Sequence, residues 1–293
     1  MKLFQWKRED GAKQLGLVQD GQHLDLSAIA HDVHQPVPNT IDELISLGEE
    51  GLQSIKSALR EIAGREPHYL LEEAEIQYLP AVNQPEKIIC VGLNYLPHIQ
   101  ESKMEIPGFP VLFSKFGNAL AAHREPIKLL PAAEQVDYEA ELVIIIGKEA
   151  RNLSPAEALD YVYGYTIGND LSARDLQMRT SQWLLGKSPD QFAPTGPYLV
   201  TSADISPSEL DISCTVNGSV RQASNTRNMI FNCEYLISYI SSHLTLKPGD
   251  LIFTGTPEGV MLGVPEEDQE WLKPGDEVEV RIEGLGVLKN TFI

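Results

Sequence analysis

"DYEAELVIIIGK", residues 137–148, places two glutamates one residue apart at the mouth of a continuous apolar run. The run at 142–146 is short, largely β-branched and stopped by Gly147, which predicts a largely buried strand. Side chains at i and i+2 of a strand share a face, so Glu139 and Glu141 point together. Two like charges at the edge of a core are costly unless something positive lies between them. Taken alone, the pair also fits a solvated strand edge.

A third acid follows downstream. "YGYTIGND", residues 163–170, reads as a strand ending on Asp170, where a side chain can emerge at the rim of a sheet. Glu139, Glu141 and Asp170 would together make an all-oxygen site for a hard divalent cation, Mg²⁺ or Mn²⁺, with Ca²⁺ as a non-native occupant. Zinc is disfavoured, because neither segment has a histidine or cysteine nearby. The next stretch, "NDLSARDLQMRTSQWLLGK" (169–187), brings Arg174, Gln177 and Lys187 to the same rim. They would hold a small oxo-acid there, or form a solvated, salt-bridged helix face.

In "CVGLNYLPHIQESKMEIPGFPVLFSK" (90–115), His98 and Glu101 are three apart and share a face if the segment is helical. A carboxylate beside an imidazole raises its basicity and fixes its tautomer, as a general base acting on water requires. A surface ion pair is the other reading. The polar, Gly- and Pro-containing composition suits a mobile lid. "FTGTPEGV" (253–260) frees the backbone at Gly255 and Gly259 and offers Thr254 and Thr256 hydroxyls, or is a tight turn. Phosphate-loop, G-x-S-x-G and H-E-x-x-H motifs are absent.

Lys plus Arg is 23 and Asp plus Glu is 42 in 293 residues, a formal charge of −19. So acidic a surface repels phosphate backbones and anionic membranes and disfavours nucleic-acid binding. A small anionic substrate needs a local positive centre. The N-terminal stretch lacks an apolar signal region, and no apolar run is long enough to span a bilayer. Cys90, Cys214 and Cys233 are odd in number and widely spaced, which fits a reducing cytoplasm, with Cys90 in the core.

Residues 1–75 read as a small N-terminal α/β module. It has strands in "KLFQW", "QLGLVQ" and "HLDLSAI", a hairpin turn at 19–22 and a helix over 40–62. Residues 76–86 read as a linker and 87–293 as the catalytic domain, mostly short strands. Helices are expected over 154–161 and 232–242. "LKPGD" occurs at 246–250 and 272–276, each time as turn chemistry before a strand. The class is α+β, dominated by β.

"ICVGLNYLPH", "PVLFSK", "DYEAELVIIIGK", "YGYTIGNDLSARDLQ", "GPYLV", "VNGSVRQASNT" and "LKPGDLIFTGTPEGV", in this order, resemble the fumarylacetoacetate hydrolase family. The resemblance implies a mixed β-roll, usually dimeric, with Mg²⁺ or Mn²⁺ held by Glu139, Glu141 and Asp170. It implies catalytic roles for His98, Glu101 and Lys187 and substrate binding by Arg174, Gln177 and Thr256. Glu258 replaces a small residue of many members, acidic residues are added between 261 and 270, and Leu93 stands where some acylpyruvate-cleaving members have arginine.

The expected reaction is metal-dependent hydrolysis of a C–C bond in an acylpyruvate or related 1,3-diketo acid. His98 would activate water, and the cation and Lys187 would stabilise a pyruvate enolate. The alternative is decarboxylation or tautomerisation of oxaloacetate at the same site. A non-catalytic metabolite-binding protein would be expected to lack at least one of the acids, the dyad or Lys187, and all are present.

Overall fold

A computed structural model of the chain describes residues 1–64, 69–101 and 105–293. At its centre lies the strand Ala140–Ile146, every residue of which is buried. It is covered on both faces, which is why its sequence runs apolar without alternation. Antiparallel neighbours flank it, Val162–Asn169 on one side and Leu251–Phe253 on the other.

The large sheet continues past these neighbours. Beyond Leu251–Phe253 come Ile88–Gly92, paired in parallel, and then Val111–Lys115. Beyond Val162–Asn169 come Ala193–Thr201 and the N-terminal strands Lys2–Lys7, Lys13–Gln19, Gln22–Asp25 and Leu70–Leu71. The first residues therefore extend the central sheet through the pairing of Lys2–Lys7 with Ala193–Thr201. A second sheet of four antiparallel strands, Ser219–Asn225, Asp211–Val216, Glu277–Ile282 and Gly286–Thr291, shares the main core with the central strand. The result is the β-dominated α+β architecture with a smaller helical part at the N-terminal end.

Local chemistry explains where elements start and stop. Asp20 and Gly21 both have positive φ, 51° and 78°, and close the hairpin expected at 19–22. The stretch "HLDLSAI" is a strand only to Asp25, whose carboxylate accepts from Ser27 and Ala28 N–H and starts the helix Leu26–Asp32. The helix expected over 40–62 is two helices, Ile41–Leu47 and Glu49–Glu61. Gly48 at φ 57° ends the first, a conformation that a helix interior does not contain. At 154–161 a serine–glutamate cap forms, but only the 3₁₀ turn Ala158–Tyr161 follows. Gly147 N–H then donates to the Tyr161 carbonyl at 2.7 Å and draws the chain into the next strand. The helix Cys233–His243 is capped by Asn232 as its sequence requires.

His123 gives this part of the molecule a pH dependence. It is buried edge-on to Tyr78, its Nδ1 accepts from Lys289 N–H, and Arg124 and Lys289 lie near it. Burial first, then those two cations, push it down from 6.5 to about 3. The unfolded chain therefore takes up this proton before the folded one. Stability from His123 is full above about pH 6.5 and is lost as the pH falls towards 3. Urea midpoints at falling pH should show this loss, and His123→Gln, which keeps an acceptor for Lys289, should flatten it.

Candidate active site

The acid cluster is built by strand register. Glu141 pairs across the ladder with Gly168, and Ala140 with Asn169. Glu139 and Asp170 therefore sit side by side at the end of two neighbouring strands. Asp170 N–H donates to the Glu139 carbonyl at 2.9 Å, and the Asn169 side chain accepts from Glu139 N–H at 2.9 Å. One carboxylate oxygen from each of Glu139, Glu141 and Asp170 lies within 4.8 Å of the others, and all three residues are buried.

Among the described residues three cations surround this cluster, and the sequence pattern pointed to only two of them. Lys187 Nζ donates to Glu139 at 2.7 Å and to Asp170 at 2.9 Å. Arg174 reaches Glu139 at 2.6 Å and donates through Nε to Asp137 at 2.9 Å. The third is Lys115, the last residue of "PVLFSK", fully buried with its ammonium 2.6 Å from Asp170. It also donates to the carbonyls of Leu171, Phe192 and Lys187, so it pins both the acid and the short helix Leu184–Lys187 that delivers Lys187. Its only sequence signal was a lysine closing a strand of apolar neighbours. Asp137, the first residue of the opening stretch, was likewise unassigned. It is fully buried and accepts from Arg174 and from the backbone N–H of Met261 and Leu262.

The acids are not equally compensated. Burial alone would raise Glu139, but Lys187 and Arg174 hold its carboxyl well below the ordinary range. Glu141 has no cation in contact, and the Gly255 N–H, at 2.7 Å, is its hydrogen-bond donor among the described residues. Burial, then the Asp170 and Glu139 charges, push it well above the ordinary carboxylate range. Among the described residues four buried acids, Asp137 included, face three buried cations. That surplus, on hard oxygen donors, fits a divalent ion held by Glu139, Glu141 and Asp170.

Across the site, His98 lies on the helix Leu96–Glu101, and its Nδ1 is 2.8 Å from Glu101 Oε1. The other Glu101 oxygen accepts from Gly259 N–H at 2.9 Å. His98, Glu139, Glu141, Gln177, Lys187 and Thr256 all line one cavity of about 450 Å³. Leu93, Phe113, Trp183 and Val264 supply apolar wall to it. Of the segment 90–115 expected as a lid, residues 102–104 lie outside the described residues.

Two of the expected substrate contacts are largely committed within the protein. Arg174 spends its donors on Asp137, Glu139 and the Gln177 oxygen. Arg174 and Gln177 both line the cavity, and the Gln177 N–H₂ is the part of its amide not spent on Arg174. The Thr256 hydroxyl donates to the Ala140 carbonyl and accepts from Gln222.

The family described as fumarylacetoacetate (FAA) hydrolase, C-terminal, matches residues 87–293. A mitochondrial oxaloacetate tautomerase of Xenopus laevis is 41% identical over 300 residues, which cover 100% of this chain and 90% of that one. A human mitochondrial oxaloacetate tautomerase is 40% identical over 260 residues, 88% of this chain and 81% of that one. Among solved structures, a fumarylacetoacetate hydrolase from the psychrophile Exiguobacterium antarcticum superposes with a TM-score of 0.82 at 32% identity, covering 100% of this chain and 99% of that one. Maleylpyruvate hydrolase from Sphingobium sp. SYK-6 gives 0.77 at 30% identity, with the same coverage.

Proposed function

The chain belongs to the fumarylacetoacetate hydrolase family, and we propose that it interconverts the enol and keto forms of oxaloacetate. The carrying observation is that a carboxylate-oriented imidazole, the two glutamates of a buried acid cluster and Lys187 line a single cavity. Those groups serve several reactions of 2-oxo acids. Relatives named oxaloacetate tautomerases, at about two-fifths identity along most of the chain, favour tautomerisation among them. Hydrolysis of an acylpyruvate, the first expectation, takes second place, and Leu93 in the cavity wall agrees with that order.

Converting enol to keto moves one proton from the C2 hydroxyl to C3. With Nδ1–H donated to Glu101, His98 presents a bare Nε2 that takes the hydroxyl proton and delivers it to C3. Lys187 holds an ammonium beside the acids and favours negative charge on the C2 oxygen. Gln177 offers its amide hydrogens to the substrate carboxylates, and Thr256 and Arg174 shape the floor beneath. Glu139, Glu141 and Asp170 would hold Mg²⁺ or Mn²⁺, which would supply Lewis-acid polarisation of the 2-oxo group. Among the described residues the four buried acids, when all are ionised, exceed the three buried cations by one charge, which a 2+ ion would more than offset. Bound there, such an ion would be the local positive centre that an anionic keto acid needs in a protein of charge −19, against the Glu101 and Glu266 carboxylates that also line the cavity.

We place the protein as a homodimer in a reducing cytoplasm, which three free, buried cysteines suit. It also keeps residues 1–75 as an N-terminal domain, 76–86 as a linker and 87–293 as the catalytic domain. No helix among the described residues is long and apolar enough to cross a membrane.

The test is to follow the ultraviolet decay of enol-oxaloacetate beside the loss of acetylpyruvate, each with Mg²⁺ or Mn²⁺. Fast enol decay with slow acetylpyruvate cleavage is expected. Efficient acetylpyruvate cleavage with no acceleration of enol decay would overturn the assignment.

A further inference from the structure

We infer that Gly263, together with the Gly259 N–H, is a positioning residue that seats Glu101 against His98. The inference rests on the reading of His98 as the proton carrier. Glu101 serves two partners, His98 Nδ1 through Oε1 and Gly259 N–H through Oε2. The carboxylate is thereby laid directly over residue 263. A Cβ there would fall 2.6 Å from Glu101 Cδ and 2.8 Å from its Cγ and Oε2, closer than real contacts allow.

The loop cannot retreat to make room. Met261 and Leu262 N–H are held by Asp137 at 2.9 and 3.1 Å, and Asp137 is itself buried and tied to Arg174. Gly263 N–H donates to Val260 O at 3.1 Å, closing a 3₁₀ turn. Glu101 can move, because its side chain is 21% exposed. The backbone at 263 is not left-handed, so alanine is conformationally ordinary there and acts through its volume alone. A methyl at 263 therefore displaces the carboxylate and leaves His98 without the acceptor that selects its Nδ1–H tautomer.

The experiment compares Gly263→Ala in the wild-type and Glu101→Ala backgrounds. Gly263→Ala should lower kcat for enol-oxaloacetate about 10–100-fold, as misplacement by about an ångström does. KM and Mn²⁺ affinity should stay near wild type, since the acid cluster is untouched. In the Mg²⁺-loaded protein, the ¹⁵N resonances of the His98 ring should move to the positions seen in Glu101→Ala. Once Glu101 is alanine the space is free, so adding Gly263→Ala should cost nothing more. Unchanged His98 resonances in Gly263→Ala, or a full kcat penalty in the Glu101→Ala background, would overturn the inference. Absence of tautomerase activity in the wild type would sink the proposed function instead, and the ¹⁵N spectra would still decide the seat.

Discussion

Glu141→Gln is expected to weaken Mn²⁺ binding at least about 100-fold and to lower metal-dependent turnover about 1000-fold. Glu139 is balanced by Lys187 and Arg174, and Asp170 by Lys115 and Lys187. Glu141 alone of the three touches no cation among the described residues, so its charge is the one a divalent ion would neutralise. Glutamine keeps an oxygen for the Gly255 N–H, which avoids the cost of a buried donor left unpaired. The variant removes charge and little else. Titration calorimetry with Mn²⁺ measures the result, and affinity near wild type would rule out the acid cage.

The same substitution carries a stability signature of opposite sign. In the metal-free protein the folded Glu141 carboxyl is raised well above its usual 4.5 by burial and by Asp170 and Glu139. Its contribution is therefore complete below about pH 4.5 and is lost as the pH rises through the folded value. Metal-free Glu141→Gln should match wild type near pH 5 and exceed it near pH 8 in urea midpoint. A variant less stable than wild type at both pH values would mean that the Glu141 charge stabilises the empty fold.

Much of this was legible in local pattern. An apolar run with a period-2 pair of acids at its mouth can be read as a buried strand that aims two carboxylates together, because alternation and burial leave few other choices. The two "LKPGD" turns were equally readable. Gly249 and Gly275 take φ of 87° and 94°, and the Asp after each donates its N–H back to the preceding Lys carbonyl. Pairings between distant segments left no such trace. Lys115 meets Asp170 across 55 residues, and Asp137 meets the 261–262 backbone across more than 120. Nothing in either segment says which charge it will face. The split at Gly48 shows the opposite failure, where apolar periodicity continued through a residue whose backbone had turned. The substrate was illegible for a chemical reason. Hydrolysis and tautomerisation of 2-oxo acids call on the same acids, imidazole and lysine, and decarboxylation shares the acids and the lysine.

His98→Ala addresses that shared chemistry, and it should slow enol–keto interconversion about 10²–10⁴-fold with KM little changed. The imidazole stands outside the acid cluster, so Mn²⁺ affinity should remain at the wild-type value. The reactions then separate by their need for a base. Tautomerisation must carry a proton between oxygen and C3, and acylpyruvate hydrolysis must take one from water, so both fall. Loss of CO₂ from oxaloacetate breaks C3–C4 and sends the electron pair towards the C2 oxygen, with no proton removed beforehand. Any decarboxylation by the wild type should therefore survive in His98→Ala while tautomerisation disappears. If both persisted at wild-type rates, the proton would travel by Lys187 or solvent, and the Glu101–His98 pair would be a structural contact at the cavity wall.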